Sequence, residues 1–171
     1  DMAQAPGSTY KGRLAGTLGD ASVFSFQETK NMMTGEGGMI LTNNPALARK
    51  SRLIRNHGEF ALGEDQTDAQ LANVIGCNFR MTEVTAAIGI AQLRKLKARN
   101  DFRNDNAAYL TDRLGKIPWL RFPPPPPNCE RVVHLLSMDY DEASAGVPKR
   151  VMVTALQKEG IPVSGGYPRL N

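Results

Sequence analysis

Five consecutive prolines, Pro123 to Pro127, set the firmest limit on how this chain folds. Each lacks a backbone N–H and has its φ held at about −65°, so the run enters neither a helix interior nor a central strand. The run is expected to be an extended polyproline II spacer. No helix or sheet of the chain can continue through it, and the regular elements must be sought on either side.

Before the run, Ala21 to Phe26 and Gly38 to Asn43 are short runs rich in β-branched and apolar residues, bounded by Gly and Asn, which is a strand signature. Lys30 to Gly37 is then a loop. Asn43 and Asn44 precede Pro45 and an apolar periodicity reaching Ile54, which predicts a helix with a cap and a first-turn proline, ending near His57 and Gly58. Residues 59 to 75 are polar and read as a long loop. From Thr82, a natural cap, Val84, Ala87, Ile88, Ala91, Leu93 and Leu96 form an apolar stripe that continues through Phe102, Ala107, Tyr109 and Leu110 to about Leu114. So long a helix bridges domains, with residues 1–100 on one side and 101–171, spacer included, on the other. After the prolines, a strand at Val132 to Met138, a helix from about Pro148 to Lys158 and a strand at Ile161 to Val163 are expected. That order describes part of a small α/β domain.

Composition excludes several classes. With 41% hydrophobic and 22% charged residues the chain is ordinary globular material. Its apolar runs fall far short of the roughly 20 residues that cross a bilayer, and no basic-then-apolar leader opens it, so a cytoplasmic protein without membrane contact is expected. The net charge of +4 is small and dispersed, which disfavours nucleic acid as a partner but suits anionic small molecules. Cys77 and Cys129 lie far apart without a CxxC pair, so neither a disulfide framework nor a metal site is expected.

The chemistry lies in a spaced series of motifs. In order these are Asp1-Met2-Ala3-Gln4-Ala5, Gly19-Asp20, Phe24-Ser25-Phe26 with Thr29-Lys30-Asn31, Thr34-Gly35-Glu36-Gly37-Gly38, Arg55-Asn56-His57-Gly58 and Asn78-Phe79-Arg80-Met81-Thr82-Glu83. The glycine cluster is no nucleotide loop, since no Lys-Ser/Thr follows it and a strand comes next. Taken together, the series resembles the DegT-type sugar aminotransferases, members of the fold-type I pyridoxal phosphate-dependent enzymes. The resemblance runs along essentially the whole chain.

The resemblance implies an α/β fold: part of the large sheet domain of a fold-type I transferase, followed by most of its small C-terminal α/β domain. It implies pyridoxal 5'-phosphate as cofactor, Lys30 as the catalytic lysine that forms a Schiff base with it, and an amino group moved from glutamate or glutamine to a keto-sugar, usually nucleotide-linked. Lysine suits the task because one amine must hold the cofactor, give way to the substrate amine and then carry a proton. Asp1 matches the carboxylate that keeps the cofactor's ring nitrogen protonated, Gln4 a contact to the ring or its 3-oxygen, and Ser25 a phosphate ligand. Asn78 and Arg80 match a segment that reaches a neighbouring subunit's phosphate site, which implies a homodimer; which of the two makes the contact stays open.

Departures qualify this. Family members extend beyond both ends of the chain, so it reads as a central-to-C-terminal fragment that is inactive by itself. Pro6 stands where histidine is frequent, Gln27 where His or another residue often stands, and the tail Val163 to Pro168 is closer to members that aminate inososes. An inosose aminotransferase and a non-catalytic cofactor-binding remnant therefore remain alternatives. A sugar dehydratase of the same superfamily carries histidine at the lysine position, and Lys30 argues against it.

Overall fold

Asn44 begins the first helix, α1 (Pro45–Arg55), by accepting the N–H groups of Ala46 and Leu47 on Oδ1 at 3.0 and 3.2 Å. Pro45, which has no N–H to satisfy, occupies the first turn. Arg52 and Arg55 in the last turn suit the negative end of the helix dipole. The structure, a computed structural model, describes residues 1–59 and 74–166. Most of the predicted loop at 59–75, with the end of the tail, lies outside the described residues.

In chain order the strands are β1 (Thr9–Tyr10), β2 (Arg13–Leu14), β3 (Ala21–Ser25), β4 (Gly38–Thr42), β5 (Leu120–Arg121), β6 (Cys129–Glu130) and β7 (Asp139–Tyr140). The remaining helices are α2 (Glu83–Leu114), α3 (Glu142–Ala145) and α4 (Lys149–Lys158). The chain falls into two compact units, Asp1–Arg103 with Pro127–His134, and Asn104–Pro126 with Leu135–Asn171. Residues of α2 belong to both.

In the first unit β3 and β4 form an antiparallel ladder from Ala21 opposite Thr42 to Ser25 opposite Gly38. β1 pairs antiparallel with both β2 and β6, in the order β2-β1-β6. Leu53, 1% exposed, anchors α1, and Met2, Phe26 and Met32 are also buried in this unit. In the second unit β5 and β7 pair antiparallel, Trp119 and Tyr140 meet edge to face at 5.4 Å, and the Tyr140 hydroxyl donates to the Val147 carbonyl at 2.8 Å. Asp141 caps α3 through the N–H groups of Ala143 and Ser144.

Two expectations are corrected. The segment 132–138 is not a strand, because its carbonyls are taken by side chains: Arg103 donates to those of Val133 and His134, and Asn31 also donates to that of Val133. Residues 161–163 are not a strand either; the Val163 N–H turns back to the Ile161 carbonyl, and the Gln157 amide donates to the Val163 carbonyl. The apolar stripe of α2 exists as a helix face but is largely unburied, with Val84 70% and Leu93 59% exposed. Of the stripe only Ala107 is buried, and the other buried positions of α2 are Gly89 and Asn100. Pro123 to Pro126 enter neither helix nor strand, as the missing N–H groups require. Among the described residues no helix is long and apolar enough to cross a membrane, and no cluster of three His, Cys, Asp or Glu gathers.

Candidate functional site

The loop that carries Lys30 is closed at its neck. Beyond the last ladder pair, the Phe26 N–H donates to the Gly37 carbonyl at 2.8 Å and the Thr34 N–H to the Phe26 carbonyl at 2.9 Å. The Thr34 hydroxyl donates to the Glu36 carbonyl at 2.7 Å. Inside the loop the Gln27 side chain accepts from both the N–H and the hydroxyl of Thr29, and the Lys30 N–H bonds the Gln27 carbonyl at 2.9 Å. Lys30 is thus half-buried on a short, hydrogen-bonded turn directly after a strand. Gly37 has φ +152°, and a Cβ there would lie 2.8 Å from the Thr34 hydroxyl and 3.1 Å from Met81 Cε, so only glycine lets the neck close.

Asp1 and Gln4 sit on a segment that runs beside β3, held there by the Met2 N–H donating to the Val23 carbonyl at 2.8 Å. The Asp1 carboxylate accepts the Ala3 N–H at 2.8 Å, which fixes its direction. Ser25 ends the same strand, half-buried, and its hydroxyl oxygen accepts the Gln27 N–H at 3.4 Å. That leaves the Ser25 O–H able to donate to an anion. Asp1, Gln4, Ser25 and Lys30 therefore lie on β3, its loop and the segment alongside.

Asn78 and Arg80 belong to a different local structure. Asn56, at the end of α1, and Asn78 form an isolated antiparallel bridge, and the Arg80 guanidinium donates to Asn56 Oδ1 at 2.7 Å. The Cys77 N–H bonds the Ile54 carbonyl and the Phe79 N–H that of Arg55, so residues 76–79 close over the helix end. A Cβ at Gly76 would stand 2.6 Å from the Ile54 carbonyl oxygen, which explains the glycine. Asn78 and Arg80 are both exposed, while the adjacent Met81 reaches the lysine loop at Gly37.

A buried polar cluster beside the lysine escaped the motif reading. Asn31 Nδ2 donates to Asn100 Oδ1 at 3.2 Å and to the Val133 carbonyl at 3.3 Å, Asn31 Oδ1 pairs with His134 Nδ1 at 3.0 Å, and Asn100 Nδ2 donates to the Pro6 carbonyl at 2.9 Å. Burial, and then the cationic charges of Lys30 and Arg103, push the His134 imidazole below its ordinary 6.5. One signal for it was in view: His134 is one of two histidines in the chain and lies within an apolar run.

The donor set suits pyridoxal phosphate: an amine, a directed carboxylate, an amide and a hydroxyl with a free donor, on one strand and its flank. Known proteins agree with the fold. The spore coat polysaccharide biosynthesis protein SpsC of Bacillus subtilis (strain 168) is 35% identical over 164 residues, covering 93% of this chain and 42% of SpsC. Among solved structures, DesI, crystallised in the presence of its TDP-sugar product, superposes with a TM-score of 0.81 at 30% identity, over 94% of this chain and 39% of DesI. DesV of S. venezuelae, solved in complex with a ketimine intermediate, gives 0.80 at 29% identity, over 94% of this chain and 40% of DesV. The chain thus spans about two fifths of the length of these relatives and has the α/β fold of the fold-type I pyridoxal phosphate-dependent sugar aminotransferases. The match to the family extends over residues 1–170: the chain belongs to the DegT/DnrJ/EryC1/StrS aminotransferase family.

Proposed function

We propose that this chain carries the lysine half of the catalytic site of a pyridoxal phosphate-dependent aminotransferase, which moves an amino group from glutamate or glutamine to a nucleotide-linked keto-sugar. The observation that carries the reading is the closed turn after β3, which holds Lys30 half-buried at the end of the strand that the segment of Asp1 and Gln4 flanks. The bound cofactor would supply an electron-withdrawing ring next to the reacting carbon. With the cofactor bound, Lys30 would hold its aldehyde carbon through Nζ and, once freed by the substrate amine, would carry the proton between the substrate carbon and the cofactor. Asp1 would hold the ring-nitrogen proton, Gln4 would donate to the ring's oxygen, and Ser25 would donate to the phosphate.

Asn78 and Arg80 serve a second copy of the chain in this reading, since both are exposed and anchored to the end of α1. A guanidinium there suits a dianionic phosphate. The unburied apolar face of α2 also calls for cover, which a homodimer or further parts of the protein provide. The sugar nucleotide as substrate rests on DesI and its TDP-sugar product. The inosose alternative rests on the tail, where Tyr167 and Pro168 lie outside the described residues.

Incubation with 15N-glutamate or 15N-glutamine, pyridoxal phosphate and a panel of keto-sugar nucleotides and inososes tests the reading. Label appearing in an amino sugar, with Lys30→Ala lowering the rate by about 10²–10⁴-fold, supports it. Cofactor uptake without amino transfer to any acceptor, in a protein that includes the family's remaining length, contradicts it and leaves a cofactor-binding remnant.

A further inference from the structure

We propose that His134 is a positioning residue for Lys30: Asn31, the lysine's neighbour in sequence, locks the imidazole as the neutral Nδ1–H tautomer and leaves Nε2 as an uncharged proton acceptor within electrostatic reach of the lysine. The inference rests on the reading of Lys30 as the cofactor-holding lysine.

Two backbone carbonyls, which can only accept, determine the tautomer. Asn100 Nδ2 faces the Pro6 carbonyl, so Asn100 presents its oxygen to Asn31. Asn31 then turns its NH₂ to that oxygen and to the Val133 carbonyl. Flipping either amide would set oxygen against oxygen, so the orientations follow from partner chemistry and not from choice. The atom that Asn31 offers to His134 is therefore Oδ1, an acceptor, and His134 Nδ1 must carry the proton. Asn31, Asn100 and His134 are all buried, so an unpaired alternative would leave a polar atom without water or partner.

The network itself, made of Asn31, Asn100, His134 and two backbone carbonyls, contains no acid. The charges that act on His134 are those of Lys30, on the loop after β3, and Arg103, on α2, both cations that oppose an imidazolium. Arg103 is itself held by the carbonyls of Val133 and His134 at 3.0 and 2.7 Å. An acid in place of Asn31 would tie the loop down as firmly but would hold Lys30 as an ammonium, whereas a nucleophilic lysine must shed its proton near neutral pH. Amides and a neutral imidazole fix the loop to α2 and to the 127–134 segment without that penalty.

The chain has two histidines, so NMR of the protein labelled with 15N-histidine resolves both, with His57→Gln assigning them. In the cofactor-free protein His134 is expected as the Nδ1–H tautomer, titrating below 6.5. An Nε2–H tautomer, or titration at or above 6.5, overturns the proposal. The second arm uses Asn31→Asp and follows the pH dependence of reductive labelling of Lys30 by pyridoxal phosphate and borohydride. The added carboxylate is expected to raise the His134 midpoint and move Lys30 labelling to higher pH by about one unit. A folded variant with both midpoints unchanged overturns the proposal, and if Asn31→Asp does not fold the tautomer measurement decides alone. Failure to label Lys30 in the unaltered protein contradicts the lysine assignment instead, and the tautomer result stands apart from it.

Discussion

Lys30 sits on a turn closed by the backbone of Phe26 and Gly37, and its neighbour Asn31 is tied into the interior. Ser25 tests the phosphate role: Ser25→Ala removes one hydroxyl donor and should weaken pyridoxal phosphate binding about 10-fold, read as the cofactor concentration giving half-maximal absorbance. Unchanged binding would take Ser25 out of the site. His134 makes stability depend on pH. Its proton affinity is lowered on folding, so the unfolded chain binds more protons just below 6.5. The stabilisation is complete above that value and falls as pH drops toward the depressed folded value. Urea midpoints should therefore decrease from pH 7.5 to pH 5.5, and the decrease should shrink in His134→Gln. Equal pH dependence in both proteins would place the effect in other groups.

At the scale of elements, sequence legibility followed how local the determining physics is. Helix α1 could be read residue by residue, because the Asn44 cap and Pro45 act within one turn. Asn44→Ala should cost about 1 kcal/mol in urea unfolding, and Leu53→Ala, which empties the most buried position of α1, about 2–5 kcal/mol. A smaller loss at Leu53 than at Asn44 would contradict the packing described. The paired strands β3 and β4 were legible for the same reason, as short apolar runs around a glycine-rich loop. The strand expected at 132–138 was not, because what removes it is distant in sequence: Asn31 and Arg103 take its carbonyls, and a window over Val132 to Met138 contains neither. The stripe on α2 was correctly periodic yet largely unburied, since periodicity states which residues share a face and not what covers it.

For the whole molecule, the motif series identified the family, because widely spaced residues were read jointly. Singly, Lys30 or Asp1 would pass for surface charges. The Asn31, Asn100 and His134 cluster stayed hidden for the opposite reason, each member being an ordinary residue until the fold joins positions 69 and 103 residues apart. Exposed Val84, Ile90, Leu93 and Phe102 on α2 lead to a prediction about assembly: light scattering should give a dimer or larger species, and Leu93→Lys should shift it toward monomer. A monomer insensitive to that change would remove the shared-site reading of Asn78 and Arg80. The central claim, that Lys30 holds the cofactor, is tested most directly by adding pyridoxal phosphate, reducing with borohydride and mapping the adduct by tandem mass spectrometry. The account predicts one phosphopyridoxyl group on Lys30, absent in Lys30→Ala; an adduct spread over other lysines, or one that persists in the variant, would contradict it.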